Sequence, residues 1–376
     1  MVLKIYSNYF FFLFFILISC KSEPAKIADE SVMRNEIIDS TITAFQKKLL
    51  AQQIDSVFSK TKFNGSISIV QSGKKLYEKE NGLEDFKTEA KLDSNSVFAI
   101  GSVSKQFTAA MILMLEDQGK LNTEDKVSKF LPEFENRQFE GVSVHQLLNH
   151  TSGISDLGNG LHSQPGKEFS YSNKGYRFLG EIIEKASGKT FDQNAAELFA
   201  KAGMKNSYTA TLFTGGHLAG AYSGTSESFR MIENMPKRLA NPSISSAAGG
   251  ILSTVADLHR WNAALYNGKI LKPSSLKKFL TRTFGMNHAI LGKVGYGYGV
   301  MMSEGKPLSY FHTGYVKGSP SLLIYYPETK TSVVILSNIA NEGKGKEFIF
   351  IPHRKVKDLT DAVESTVVEL RKEMVR

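Results

Sequence analysis

The chain has one cysteine, Cys20, so an internal disulfide is excluded. It shows no internal repeat, which argues against a solenoid or propeller. No metal-ligand spacing is present: His145 and His150 are five positions apart with no further ligand type beside them, a pattern that fits packing roles. A phosphate-cradling glycine loop and a dinucleotide fingerprint are missing as well. Tyr296-Gly297-Tyr298-Gly299 does not have the strand-turn-helix spacing such a site needs. No cofactor and no metal are therefore expected. Lysine and arginine number 46 against 37 acidic residues, a net charge of +9, but the basic residues are spread out. The densest cluster, Arg354-Lys355-Val356-Lys357, is short and has no interleaved aromatics, so a nucleic-acid partner is not expected.

What is present begins with a processing signal. Lys4 is the only charged residue before position 21, and Tyr9 to Ile18 is an unbroken aromatic and aliphatic run. That run suits the apolar region of a signal peptide and is short for a membrane span. It ends in Leu17-Ile18-Ser19-Cys20, which resembles the lipobox of bacterial lipoproteins. The resemblance implies removal of residues 1–19 and lipidation of Cys20. Lys21 follows, where an aspartate would favour inner-membrane retention, so the expected location is the envelope, on the periplasmic side of the outer membrane. Residues 20–39 read as a polar tether.

The remainder, with 41% hydrophobic and 22% charged residues over the whole chain, has the composition of a globular domain with a sizeable core. Ile42, Phe45, Leu49, Ile54, Val57 and Phe58 recur at helical spacing, predicting a helix from about Ser40 to Ser59. Residues 63–80 alternate on either side of Ser72-Gly73-Lys74 and predict a hairpin. A mainly helical block runs from Ser102 to about Leu265. Four strands follow, at Tyr296–Met302, Leu308–His312, Ser321–Tyr326 and Ser332–Ser337, and then a helix from about Lys357 to Met374. Thr211 to Ser228 reads as an unperiodic surface excursion. Both ends of the domain thus supply sheet, at 40–101 and 266–376, and the helical part 102–265 interrupts them. The cleft is expected at their junction.

The chemistry centres on Phe98-Ala99-Ile100-Gly101-Ser102-Val103-Ser104-Lys105. An apolar run to Leu115 follows, so Ser102 and Lys105 fall three apart at a helix start and share a face. A serine hydroxyl needs a base within reach, and a buried lysine of lowered pKa helps supply one. Ser104 lacks a lysine at plus three, so Ser102 is the predicted nucleophile. Two further islands are Tyr171-Ser172-Asn173 in a loop and His312-Thr313-Gly314 at a strand.

In this order, Ser-x-x-Lys, Tyr-x-Asn and His-Thr-Gly resemble the motifs of the serine beta-lactamase and penicillin-binding-protein superfamily. The Tyr-x-Asn form is most similar to the class C branch, with its D,D-peptidase and esterase relatives. Ala248-Gly249-Gly250-Ile251 through Asp257-Leu258 also looks like this family, Asp257 supporting a helix. The resemblance implies an α/β (α+β) fold, an antiparallel sheet flanked by helices with an inserted mainly helical domain, over residues 40–376. It implies that Ser102 forms an acyl-enzyme while Lys105 and Tyr171 share its proton, the dominant base being left open. Asn173 would orient Lys105, and the amides of Ser102 and Tyr315 would hold the oxyanion. Thr313 and Gly314 would border the substrate.

His312 departs from the usual lysine, and an imidazole is only partly charged near neutrality. Lys317 is close enough in sequence to restore some charge. The departure turns the expectation toward an envelope peptidase or carboxylesterase on small ester, peptide or peptidoglycan-like substrates. A class C-like beta-lactamase or penicillin-binding protein is the first alternative, and a non-catalytic binding protein of the same fold the second. The oligomeric state is left open.

Overall fold

The computed structural model describes residues 30–233, 237–239 and 245–374. The signal, Cys20 and most of the tether lie outside the described residues. The first helix, α1 (Glu30–Thr61), begins ten residues before Ser40, inside the stretch assigned to the tether. Ile42, Gln46, Leu50, Ile54 and Phe58 are its buried stripe. Once that stripe is packed, each added N-terminal residue gains a backbone bond without a new nucleus. Asp39 is also held by Arg371 at 2.8 Å, an upstream contact that periodicity does not reveal.

Strands β1 (Gly65–Gln71) and β2 (Lys74–Asn81) form the predicted hairpin. Its two-residue turn has positive φ at both Ser72 and Gly73, the geometry that matches strand twist. The hairpin ends an eight-stranded antiparallel sheet. From the far edge, its order is Phe284–His288, Gly292–Tyr296, Met301–Ser303, Tyr310–Val316, Ser319–Tyr326, Thr331–Ser337, β1, β2. Alternation divides two cores. Ile67, Ile69, Leu322, Ile324, Val333 and Ile335 face α1 and the C-terminal helix Ile351–Met374. Leu323, Val334 and Leu336 face the helical block. A strand buried on both faces reads as a continuous apolar run, as Val333–Leu336 does.

The expected strand Tyr296–Met302 is two strands joined by a turn. The Gly297 N–H reaches the Val300 carbonyl at 2.8 Å, and Gly299 has φ +66°. The excursion Thr211–Ser228 contributes a short strand, Tyr222–Thr225, which pairs with Ser228–Met231 and, in parallel, with Ile339–Ala340.

The helical block is built on α2 (Ser104–Asp117), buried along nearly its whole length. Around it stand α3 (Val144–Leu148), α4 (Asn173–Ser187), α5 (Phe191–Ala202), α6 (Val255–Tyr266) and α7 (Pro273–Leu280). Apolar burial at about 25 cal/mol per Å² drives this assembly. Direction comes from bonds such as Trp261 Nε1 to Gln106 Oε1 at 2.9 Å, between α6 and α2. Asp257, fully buried in the first turn of α6, ties the loop after α5 to that helix by accepting from Asn206 N at 2.6 Å and Ser207 Oγ at 2.8 Å, while Thr254 caps the helix by accepting from Asp257 N at 3.2 Å. The fold is thus an antiparallel sheet flanked by helices with an inserted helical region.

Candidate active site

Ser102 sits on a 3-10 turn, Gly101–Val103, that runs directly into α2. The short strand Phe98–Ala99 aims the chain there by pairing with Ile251–Ser253. Gly101 then turns it with φ +52°, and a Cβ at that position would come 2.5 Å from the Tyr315 amide nitrogen. Ser102 is half-buried while every residue around it from Gly101 to Ala110 is buried. Gly314 is packed as tightly: its Cβ would lie 1.9 Å from the Ile100 carbonyl oxygen. A side chain at 314 would therefore strike the backbone leading to Ser102.

Lys105, in the first turn of α2, is fully buried. Its Nζ lies 3.1 Å from Ser102 Oγ, 2.8 Å from Asn173 Oδ1 and 2.7 Å from the Ala248 carbonyl. Burial pushes its pKa down to about 7, against the pull of the Asp156 carboxylate. A neutral amine has two N–H groups and one lone pair. The two carbonyl oxygens take the N–H groups, and the lone pair is left toward Ser102.

Tyr171 faces Ser102, and its ring centroid lies 4.8 Å from Lys105 Nζ. Burial raises its phenol above the ordinary range; the neighbouring Ser102 hydroxyl opposes this and the Asp156 charge adds to it. Asn173 opens α4. The group that fixes it was not singled out from the sequence: Asp156 accepts from Ser172 Oγ at 2.7 Å, Asn173 N at 3.1 Å, Asn173 Nδ2 at 3.3 Å and Lys174 N at 2.9 Å. These bonds hold the Asp156 carboxyl below its ordinary pKa although burial acts first to raise it.

On the opposite wall, His312 is buried with both ring nitrogens engaged. Nε2 is 3.1 Å from Tyr296 Oη, and Nδ1 donates to the Thr313 carbonyl at 2.6 Å. Burial pushes its pKa down to about 3, with Lys105 adding repulsion. The ring is therefore neutral at physiological pH, beyond the partial charge expected from the sequence. Thr313 is buried, its hydroxyl 3.5 Å from His288 Nε2.

A cleft of about 240 Å³ is lined by Ser102, Asn173, Ala248, Gly249, Tyr315, Val316, Lys317 and Arg238. Lys317 does bring a cation to this wall, 4.0 Å from Glu342, which also accepts from Tyr315. Arg238, in a segment without periodicity, is a second cation there that sequence reasoning missed. His150 was assigned to packing; it is buried, with its ring 4.3 Å from that of Tyr171. Elsewhere, Glu84, Asp93 and His217 bring ligand-type atoms within 4.8 Å of one another. Asp93 and His217 are exposed and Glu84 already accepts from Ser96, so this is a solvated surface cluster.

Comparison with known proteins bears on the family and the fold. A family model described as Beta-lactamase matches residues 41–350. Penicillin-binding protein 4* of Bacillus subtilis (strain 168) is 28% identical over 331 residues, covering 78% of this chain and 72% of that protein. The octameric penicillin-binding protein homologue from Pyrococcus abyssi superposes with a TM-score of 0.70 at 25% identity, over 86% of this chain and 78% of that one. D-amino acid amidase from Ochrobactrum anthropi SV3 shares the fold, with a TM-score of 0.70 at 20% identity over 83% of this chain and 99% of its own. On a match that runs from α1 to the start of the C-terminal helix, the chain belongs to the beta-lactamase family.

Proposed function

We propose that this protein is a serine hydrolase that cleaves an ester or amide bond through an acyl-enzyme on Ser102, as an envelope peptidase or carboxylesterase. The observation that carries the reading is the environment of Lys105. Its two N–H groups have carbonyl acceptors and its remaining direction meets Ser102 Oγ at 3.1 Å. Neutral Lys105 takes the Ser102 proton as Oγ bonds to the substrate carbonyl carbon. The oxyanion is received by the amides of Ser102 and Tyr315. Tyr171, protonated beside Ser102, passes its proton to the leaving oxygen or nitrogen and regains one from the Lys105 ammonium. Water then attacks the acyl group by the reverse relay.

A depressed lysine and a raised tyrosine make Lys105 the dominant base in this proposal. Similarity to a penicillin-binding protein supports a peptide-like amide as substrate. A class C-like beta-lactamase activity draws its support from the family itself, and the neutral His312 weighs against it. The lipobox-like Leu17-Ile18-Ser19-Cys20 supports export and a lipid anchor at Cys20, on the periplasmic side of the outer membrane.

The test is turnover of p-nitrophenyl butyrate, a D-alanyl-D-alanine peptide and nitrocefin beside Ser102→Ala, with intact mass read on both proteins. Ester or peptide turnover lost in the variant, with slow nitrocefin hydrolysis, is the expected result. Fast nitrocefin turnover would move the reading to a beta-lactamase. Unchanged ligand binding with no turnover of any substrate would move it to a binding protein.

A further inference from the structure

We propose that His150, Tyr296 and His312 form one neutral, directional hydrogen-bond chain that positions Tyr171 and Asn173 against Ser102, and that His312 is the terminus of this chain instead of a cation for the substrate. The proposal rests on the serine hydrolase reading for its kinetic part alone.

The direction of the chain is dictated by its two ends. Ser172 N–H can only donate, and it points at His150 Nδ1 at 3.1 Å. The His150 proton is therefore on Nε2, which faces Tyr296 Oη at 3.1 Å. Tyr296 accepts there and directs its own proton to His312 Nε2, also at 3.1 Å. That leaves the His312 proton on Nδ1, donating to the Thr313 carbonyl at 2.6 Å, a group that can only accept. Both terminal groups are backbone, so the order cannot be inverted. A proton added to His150 would set two donors against each other at Nδ1. One added to His312 would set the Tyr296 hydroxyl between two donors and displace its own proton toward Tyr176, whose hydroxyl donates to the Leu148 carbonyl. In a buried site each such mismatch is costly.

The chain joins two motif islands whose Tyr171 and His312 rings also face each other at 6.4 Å. It starts at Ser172, between Tyr171 and Asn173, and ends at Thr313, between His312 and Gly314. His150 also grips the first island twice, since its carbonyl accepts from Ser170 N at 2.8 Å. Tyr171 is held between these two bonds, with the His150 ring against its own. The titratable groups packed around the chain are Lys105 from α2, Tyr171 and Tyr176 around the start of α4, Asp156 from the preceding loop, Tyr298 from the turn, and His288 from the edge strand. Lys105 is the nearest cation, and a charge on either imidazole would repel its protonated form. Keeping both rings neutral leaves the proton balance of the site to Lys105.

The experiment uses the full chain, labelled with 15N-histidine, as wild type, Tyr296→Phe and His312→Lys. Imidazole nitrogen shifts are recorded from pH 8 to 5, with melting temperature, fluorophosphonate adduct mass and ester kinetics on the same samples. In the wild type we expect His150 as the Nε2–H form and His312 as the Nδ1–H form, neither titrating across this range. Folded Tyr296→Phe is expected to lose about tenfold or more in kcat with KM within about twofold, because the pair is misplaced and not the substrate. His312→Lys is expected to lose ester turnover and gain no nitrocefin turnover. An opposite tautomer, a His312 that titrates near 6.5, a folded Tyr296→Phe with wild-type kcat, or a gain of nitrocefin turnover in His312→Lys would overturn the proposal. Should the wild type form no adduct at Ser102, the hydrolase reading fails on its own, while the imidazole spectra still decide the chain.

Discussion

Lys105 exposes no surface, and its ammonium would have to be desolvated to stay charged. Three oxygen partners and one nearby carboxylate soften that cost, and the resulting pKa of about 7 is the value at which an amine serves best as a base near neutrality. The spacing of Ser102 and Lys105 was legible because helix geometry alone brings residues three apart together. Tyr171 and Asn173 were legible only through family resemblance, since nothing local says that a loop 68 residues on from Lys105 meets it. Gly314 carries a prediction at this scale. Gly314→Ala places a methyl 1.9 Å from the Ile100 oxygen and 2.3 Å from Ser321 Oγ, breaking the 2.8 Å bond between them. A loss of about 1–3 kcal/mol in denaturant unfolding is expected, with slowed acylation of Ser102. An unchanged midpoint would show that the strand yields freely.

At the scale of elements, the start of α4 is held from outside itself. Ser172 caps it by accepting from Gly175 N at 2.9 Å, and Asp156 adds a carboxylate where the helix dipole favours one. Because that carboxylate also raises the pKa of Lys105, Asp156→Asn has two effects of known sign. Stability falls by about 0.5–2 kcal/mol. The acid limb of kcat/KM moves to lower pH, since the ammonium loses a counter-charge. A limb that stays in place, or rises, would contradict the electrostatic account. Asp156 and the bonds His150 and Tyr296 make escaped the sequence reading for a shared reason: the partners lie 16 to 146 residues away, and no periodicity marks them. The early start of α1 and the turn at Gly297–Val300 were hidden similarly, one by tertiary contact and the other by glycines inside an apolar run.

For the whole molecule, the sheet separates two cores, and this much was readable from the alternation and order of the apolar runs. Its polar interior was not. His150, His259, His312 and His353 are all driven by burial well below the ordinary imidazole range. The unfolded chain binds protons at these rings below about pH 6.5 while the folded chain does not until about 3 for His259, His312 and His353. The contribution of these rings is therefore full above pH 6.5 and falls as the pH drops toward 3, by up to about 1.4 kcal/mol per pH unit for each ring. Glu364, raised chiefly by burial, works the other way at more acid pH. Denaturant titrations from pH 8 to 5 check this: a steep fall below 6.5 is expected, with a shallower rise continuing above 7 because Lys105 is neutral in the folded chain and charged in the unfolded one, and a profile flat below 6.5 would contradict neutral buried imidazoles.

The central claim is that Ser102 is acylated with neutral Lys105 as its base, and the most direct test is the rate of Ser102 acylation against pH. Wild type and Ser102→Ala would be treated with a fluorophosphonate from pH 5 to 9, and the adduct followed by intact mass. The account predicts a single adduct on Ser102 and none in the variant, with a rate that falls about tenfold per pH unit below an apparent pKa of about 7. An adduct that persists in Ser102→Ala, no adduct in folded wild type, or a rate still climbing steeply to pH 9 would contradict it.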